Sequence, residues 1–262
     1  MQTISRDGVT LHVAVSGAAD GFPIIFANSL GTDLRVWDLL LPYLGDGYRF
    51  IRFDKRGHGL SDCPDAPYTI DDLALDAIAV ADAFDVTGAA FVGLSIGGLI
   101  GQALALKRPD LVSSLVLMDT AAKIGEADMW NARVSALRDG GIEGIAEAVL
   151  DRWFAPALRN DPVALAPWRN MLVRTPLEGY VGCCQAIAGA DYRAPAAQVD
   201  VPVMAMVGAD DLATAPDVVR ATAELYGAAF HILPDAGHLP CVEQPQAVAR
   251  LIIEFLERTH NV

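Results

Sequence analysis

The sequence predicts an α/β fold: a mostly parallel sheet flanked by helices on both faces and interrupted once by an inserted helical cap. Three observations predict it. Short apolar runs alternate with amphipathic stretches along most of the chain. The runs are nearly continuous in apolar residues, as strands buried on both faces must be. The alternation lapses only between residues 121 and 195, where the pattern is helical and carries no strand-like run.

In chain order, "VTLHVAV" alternates like one strand of a half-buried antiparallel hairpin. "PIIFAN" (23–28), "YRFIRFD" (48–54), "AAFVGL" (89–94), "SSLVLMD" (113–119), "PVMAMVG" (202–208) and "AFHILPD" (229–235) read as buried strands. Residues 71–84, 96–107, 216–226 and 244–258 have helical apolar spacing. The segment 121–195, with "NARVSALRDGGIEGIAEAVLDRWF", is the predicted cap, leaving 1–120 and 196–262 as the core. Open α/β sheets bind ligands at the C-terminal ends of their strands, so a cap inserted there would roof a site.

Composition narrows the function classes. With 262 residues, 53% hydrophobic and 20% charged, the chain can bury ~70–75% of its unfolded surface without staples. Its net charge of −14 argues against nucleic acid and anionic membrane surfaces as partners, since both are bound through clustered Lys and Arg. Cys63, Cys183, Cys184 and Cys241 form no Cys-x-x-Cys pair, and no histidine stands at metal-ligand spacing, so no metal site is expected. Few cysteines suit a reducing compartment. The opening "MQTISRDGVTLHV" lacks a basic segment followed by an apolar core, so a cytoplasmic location is expected. Cys183 and Cys184 read as small buried hydrophobes. Self-association as a homo-oligomer stays open.

The decisive stretch is "GAAFVGLSIGGLIGQALAL" (88–106). Its uncharged length approaches a membrane span, but strand-like residues, five glycines and the alternation on either side argue otherwise. It has neither Gly-Lys-Ser/Thr nor Gly-x-Gly-x-x-Gly, so it is not a phosphate cradle. "GLSIG" is Gly-x-Ser-x-Gly between a buried strand and an amphipathic helix, the setting of a nucleophile elbow. Ser95 is therefore the candidate nucleophile, with the Ile96 N–H at the helix start aimed at a developing oxyanion.

A serine hydroxyl needs a base, and the base an orienting acid. Among five histidines, His12, His231 and His260 lie in a hairpin, a strand and the terminal tail, and His58 sits in a glycine-rich turn before the serine. His238, after the last strand-like run, is the candidate base. "MAMVGADDLATAP" supplies the acid, with Asp211 at Gly-x-x-Asp spacing from Gly208. Asp210 reads as a solvated neighbour and Asp217 as a helix N-terminal residue, while Asp119 stays open as an acid at the preceding strand end. The second oxyanion donor is the Leu30 N–H in "FANSLGTD"; Ser29 beside it lacks an elbow.

Together "FANSLGTDLRVWD", "RFDKRGHGLSD", "FVGLSIGGLIGQALAL", "LVLMDTAAKIG", "RWF" and "GHLPCVEQP" resemble the α/β-hydrolase superfamily and, more narrowly, the 3-oxoadipate enol-lactonases of aromatic-acid catabolism. The resemblance implies an eight-stranded sheet and a cofactor-free, metal-free serine hydrolase acting on a small-molecule lactone through an acyl-enzyme. Such a substrate carries a carboxylate, so a local cation must hold it against the protein's net negative charge. Arg133 is the candidate, with Trp130 and Trp153 as apolar walls and Asn28 as a contact to the lactone. The same triad would also serve a general carboxylesterase or a cofactor-free perhydrolase, because the cap chooses the substrate. A non-catalytic ligand receptor on this fold is the alternative of another class, and the complete Ser95, Asp211 and His238 set argues against it.

Overall fold

The computed structural model describes residues 1–260. Eight strands form one sheet: β1 (Gln2–Arg6), β2 (Val9–Gly17), β3 (Phe22–Ala27), β4 (Tyr48–Phe53), β5 (Ala89–Leu94), β6 (Val112–Met118), β7 (Val203–Gly208) and β8 (Ala229–Leu233). Their order is β1-β2-β4-β3-β5-β6-β7-β8. β1 and β2 are a hairpin whose two-residue turn puts Asp7 and Gly8 at positive φ, the turn that "DG" between alternating strands favours. β2 pairs antiparallel with β4, and every later pairing is parallel. Burial follows the pairing. All six residues of β5 and of β7 are buried, whereas β1 is largely exposed.

Helices cover the sheet. α1 (Ile70–Ala83) starts at a capping box, with Thr69 Oγ1 accepting the Asp72 N–H and Asp72 accepting the Thr69 N–H. α2 (Ile96–Lys107) is buried from Ile96 to Ala105, and at 12 residues it is a core helix. Among the described residues no helix is long and apolar enough to cross a membrane. Between β6 and β7 the chain is helical throughout: α3 (Ala127–Gly140), α4 (Ala146–Trp153), α5 (Pro156–Arg159), α6 (Pro162–Val173) and α7 (Leu177–Ala188). α8 (Pro216–Leu225), the short α9 (Pro240–Glu243) and α10 (Pro245–His260) complete the chain.

The strand order creates the site's location. β4 lies on one side of β3 and β5 on the other, so the chain reverses direction across the sheet between them. At such a switch point the loops leaving adjacent strands diverge and open a crevice at the carboxyl ends. Ala27 of β3 pairs with Gly93 of β5, which sets residues 28–30 beside residue 95.

One buried ion cluster ties the hairpin to this core. Asp76 on α1 is fully buried; its Oδ1 accepts from Arg6 Nη1 (2.9 Å) and Arg56 Nη2 (2.7 Å), and its Oδ2 from Arg56 Nε (2.6 Å). Removing the carboxylate strands two guanidiniums with little access to water. Asp76→Ala is expected to cost about 3–5 kcal/mol in urea-unfolding free energy; a loss under 1 kcal/mol would show that the cluster does not hold the hairpin.

Candidate active site

The four loops that follow β3, β5, β7 and β8 converge. Ser95 leaves β5 at φ 58 and ψ −120, a conformation costing a non-glycine residue roughly 1–3 kcal/mol. Its surroundings enforce it. The Ser95 N–H donates to Met118 O (2.9 Å), and its carbonyl accepts from the Gly98 N–H (2.8 Å) and Thr120 Oγ1 (2.6 Å). The turn is so tight that a Cβ on Gly93 would lie 2.3 Å from Gly97 O, and one on Gly97 would lie 2.0 Å from Ala27 O. Both atoms are backbone and cannot yield, so the flanking glycines are steric requirements.

His238 follows β8. Its N–H donates to Trp153 O (2.7 Å), and its Nδ1 lies 2.9 Å from Asp211 Oδ2. Asp211 Oδ1 accepts the N–H groups of Ala213 (2.7 Å) and Thr214 (3.0 Å). Burial pushes the Asp211 carboxyl up, but His238 and these N–H donors outweigh it and hold it below the usual carboxylate range. A charged Asp211 fixes the proton of His238 on Nδ1 and leaves Nε2 as the acceptor. Asp119, Asp211 and His238 each offer a metal-ligating atom within 4.8 Å of one another. The Nδ1 and Asp211 oxygens already bond to each other, which organises the cluster as an imidazole–carboxylate pair.

Ser95 and His238 line one small cavity of about 90 Å³. Among the described residues Ser95 Oγ makes no hydrogen bond, whereas the Ser29 hydroxyl lies 3.4 Å from His238 Nε2. Nucleophile–base contacts are often loose without substrate and tighten on binding. Ser29 sits in an ordinary loop, with no helix behind it to stabilise an oxyanion. A larger cavity of about 870 Å³ lies between Arg35, Asp54, Leu60 and α6, but neither serine nor cysteine lines it.

Among the described residues the Leu30 and Ile96 N–H groups have no backbone acceptor. The loop that carries Leu30 rests on buried groups: Lys55 Nζ donates to Ser29 O (2.6 Å) and Thr32 O (3.2 Å), and His58 Nε2 accepts the Gly31 N–H (3.0 Å). Burial, and then Lys55, drives His58 well below its ordinary pKa, so it stays neutral and accepts. Asn28 differs from the expected contact to a lactone. Its amide Nδ2 donates to Thr32 O within the loop, and it does not line the cavity. Its short side chain serves loop closure.

Trp130, Arg133 and Trp153 do line the cavity. The Trp130 indole donates to Ile124 O (2.6 Å), and the Arg133 guanidinium sits 5.3 Å from the Trp130 ring centre. Sequence reasoning passed over Arg152, which lines the same cavity and donates Nε to Leu212 O (3.0 Å). Its signal was available: Val149, Arg152 and Trp153 share one face of α4 at i, i+3 and i+4 spacing. Burial lowers the Arg152 pKa and the adjacent Arg133 pushes the same way. Among the described residues neither arginine is in an ion pair. All four cysteines are free, and burial pushes the Cys183 thiol up to about 12 and Cys184 in the same direction, which leaves both unreactive.

Lys55 carries a pH signature. Burial lowers its pKa to about 8, below the value of about 10.4 in an unfolded chain. Folding therefore disfavours its charged form below pH 8, and that penalty is relieved as pH rises through 8 toward 10.4. Relative to Lys55→Met, the wild type should gain on the order of 2 kcal/mol of urea-unfolding free energy between pH 7 and pH 10. A difference flat with pH would show that Lys55 keeps its ordinary affinity for protons.

Comparison with known proteins agrees with this architecture. The family described as "Alpha/beta hydrolase family" matches residues 24–251. The chain is 38% identical to 3-oxoadipate enol-lactonase 2 of Acinetobacter baylyi, over 98% of this chain and 96% of that protein. It is 32% identical to 3-oxoadipate enol-lactonase 1 of the same organism, over 97% and 95%. The crystal structure of the enol-lactonase from Burkholderia xenovorans LB400 superposes with a TM-score of 0.93 at 37% identity, covering 97% of this chain and 99% of that one. The chain belongs to the α/β hydrolase family.

Proposed function

We propose that the chain is a serine hydrolase that opens 3-oxoadipate enol-lactone to 3-oxoadipate. The observation that carries the reading is the cavity itself. A strained serine and a carboxylate-oriented imidazole share it with two arginines that have no acidic partner among the described residues. The relatives named as enol-lactonases support the same substrate class.

Ser95 Oγ attacks the lactone carbonyl while His238 Nε2 takes its proton. The Leu30 and Ile96 N–H groups receive the tetrahedral oxyanion, and the α2 N-terminus adds its partial positive charge. The ring C–O bond then breaks, and His238 returns the proton to the departing enol oxygen. This leaving group is better than an ordinary alkoxide, and its ketonisation draws the reaction forward. Water, deprotonated by His238, attacks the acyl-enzyme; Ser95 leaves with the returned proton and the product acid is released. Asp211 stays charged throughout and stabilises the imidazolium.

The helical segment 121–195 acts as the cap that selects the substrate. Arg133 and Arg152 receive the substrate carboxylate, and Trp130 and Trp153 bound the apolar part of the ring. A carboxylate between these two half-buried guanidiniums forms charge-assisted hydrogen bonds worth about 1.5–3 kcal/mol each.

Loss of the enol-lactone ultraviolet absorbance with purified protein tests the reading directly. Background-level turnover alongside brisk p-nitrophenyl acetate hydrolysis would replace it with a general esterase. Ser95→Ala should lower kcat roughly 10⁴-fold or more on either substrate, and an active variant would remove Ser95 as nucleophile. Arg152→Ala and Arg133→Ala should each raise KM for the acidic lactone about tenfold or more, the equivalent of one lost charged hydrogen bond. Neutral esters should be affected far less; equal effects on both substrates would refute the carboxylate role.

A further inference from the structure

Two carboxyl groups stand behind His238, and the mechanism above uses one. Asp119 ends β6 and Asp211 follows β7; Met118 pairs with Met206 on these neighbouring strands. Asp119 is fully buried, with its backbone in the left-handed region at φ 47. Its N–H donates to Met206 O (2.9 Å), and its carbonyl accepts Thr214 Oγ1 (2.7 Å), which lies 3.0 Å from Asp211 Oδ2 and 3.2 Å from His238 Nδ1. The Asp119 backbone is thus tied to the same threonine that touches both other members.

The Asp119 side chain is half satisfied. Oδ1 accepts the Gly208 N–H (2.9 Å), whereas Oδ2 is buried with no donor among the described residues. An ionised carboxylate with a bare oxygen, sealed from water beside a second carboxylate, is strongly disfavoured. A proton on Oδ2 removes both faults, because the O–H becomes a donor and Asp211 is the acceptor beside it. The groups facing Asp119 are Asp211, His238, Glu243 and Cys241, none of them a permanent cation. Burial, and then the charge of Asp211, raises the Asp119 pKa well above the usual range.

We propose that Asp119 is a positioning residue that, protonated, donates a hydrogen bond to the charged Asp211 in the resting site and becomes the carboxylate partner of His238 when Asp211 cannot ionise. In Asp211→Asn the repelling charge is gone. Asp119 then loses its proton to solvent and accepts the Nδ1–H of His238, with no covalent bond to carbon made or broken. The inference rests on the reading of His238 as the base.

The test compares Asp211→Asn, Asp119→Asn/Asp211→Asn and His238→Ala with p-nitrophenyl acetate, thermal unfolding confirming that each is folded. Asp211→Asn should lose less than about a hundredfold in kcat. The double variant should lose about a further hundredfold, approaching the ~10⁴-fold loss of a triad without its carboxylate. The downfield Nδ1–H proton resonance of His238 should persist in Asp211→Asn and vanish in the double variant. Equal residual activity in the two, or no downfield proton in Asp211→Asn, overturns the role of Asp119. An inactive His238→Ala with that result leaves the base assignment standing, whereas an active His238→Ala removes both. The infrared difference spectrum of wild type minus Asp119→Asn at neutral pH should contain a protonated-carboxyl C=O stretch. Its absence overturns the proposal even where the double variant does not fold.

Discussion

The strained turn at Ser95 is the constraint on which the site depends. A serine at φ 58 and ψ −120 would relax unless its neighbours over-determined it. Three hydrogen bonds hold the turn, reaching it from β6, from α2 and from Thr120 just beyond β6. Each requires an adjacent element in register, so the local strain is supported by the whole parallel sheet. The same turn starts α2 at Ile96, which leaves one amide without a helical acceptor. The proposed nucleophile and oxyanion donor are therefore one backbone feature, and a slip in β5 would displace both.

The loops around that turn are positioned by buried polar groups. Lys55 and His58 fix the loop after β3 from below, and neither reaches the cavity. Glu243 does the same for the base. It accepts the Gly237 N–H (2.7 Å) and the Ala155 N–H (2.8 Å), joining the loop before His238 to the end of α4. Burial pushes Glu243 up to about 7. These groups would be costly in isolation, yet each satisfies backbone groups that a loop away from the sheet ladder leaves unpaired.

Much of this was legible in the chain. The strand runs were readable because parallel strands buried on both faces must be apolar throughout, and each coincides with an observed strand to within two residues at its ends. The gathering of Ser95, His238 and Asp211 was readable because each follows a strand at the end where this topology gathers its loops. What escaped was set by contacts across the chain. Asn28 stands beside the oxyanion loop in sequence, yet its amide turns inward to Thr32. Arg152 enters the cavity wall only through the placement of α4 in the fold. Ser29 lacks an elbow, and only the fold brings its hydroxyl to His238. Side-chain direction in loops depends on partners distant in sequence, and no local pattern encodes it.

The proposed acidic substrate of a chain with net charge −14 poses an electrostatic problem, and magnitudes resolve it. Surface charges are screened over about 8–10 Å at physiological ionic strength, so most of the excess acidity acts weakly at the cavity. Inside, a carboxylate 4 Å from a guanidinium gains about 4 kcal/mol at an effective dielectric constant of 20. Part of that gain offsets the loss of water around both charges. The remainder depends on Arg133 and Arg152 being pre-placed and free of acidic partners, since a nearby Asp or Glu would compete with the substrate. The surface charge then lowers the encounter rate without weakening the bound state, because encounter samples the screened exterior and binding samples the interior. The proposed selectivity for an acid would thus rest on two arginines unpaired among the described residues rather than on the protein's overall charge.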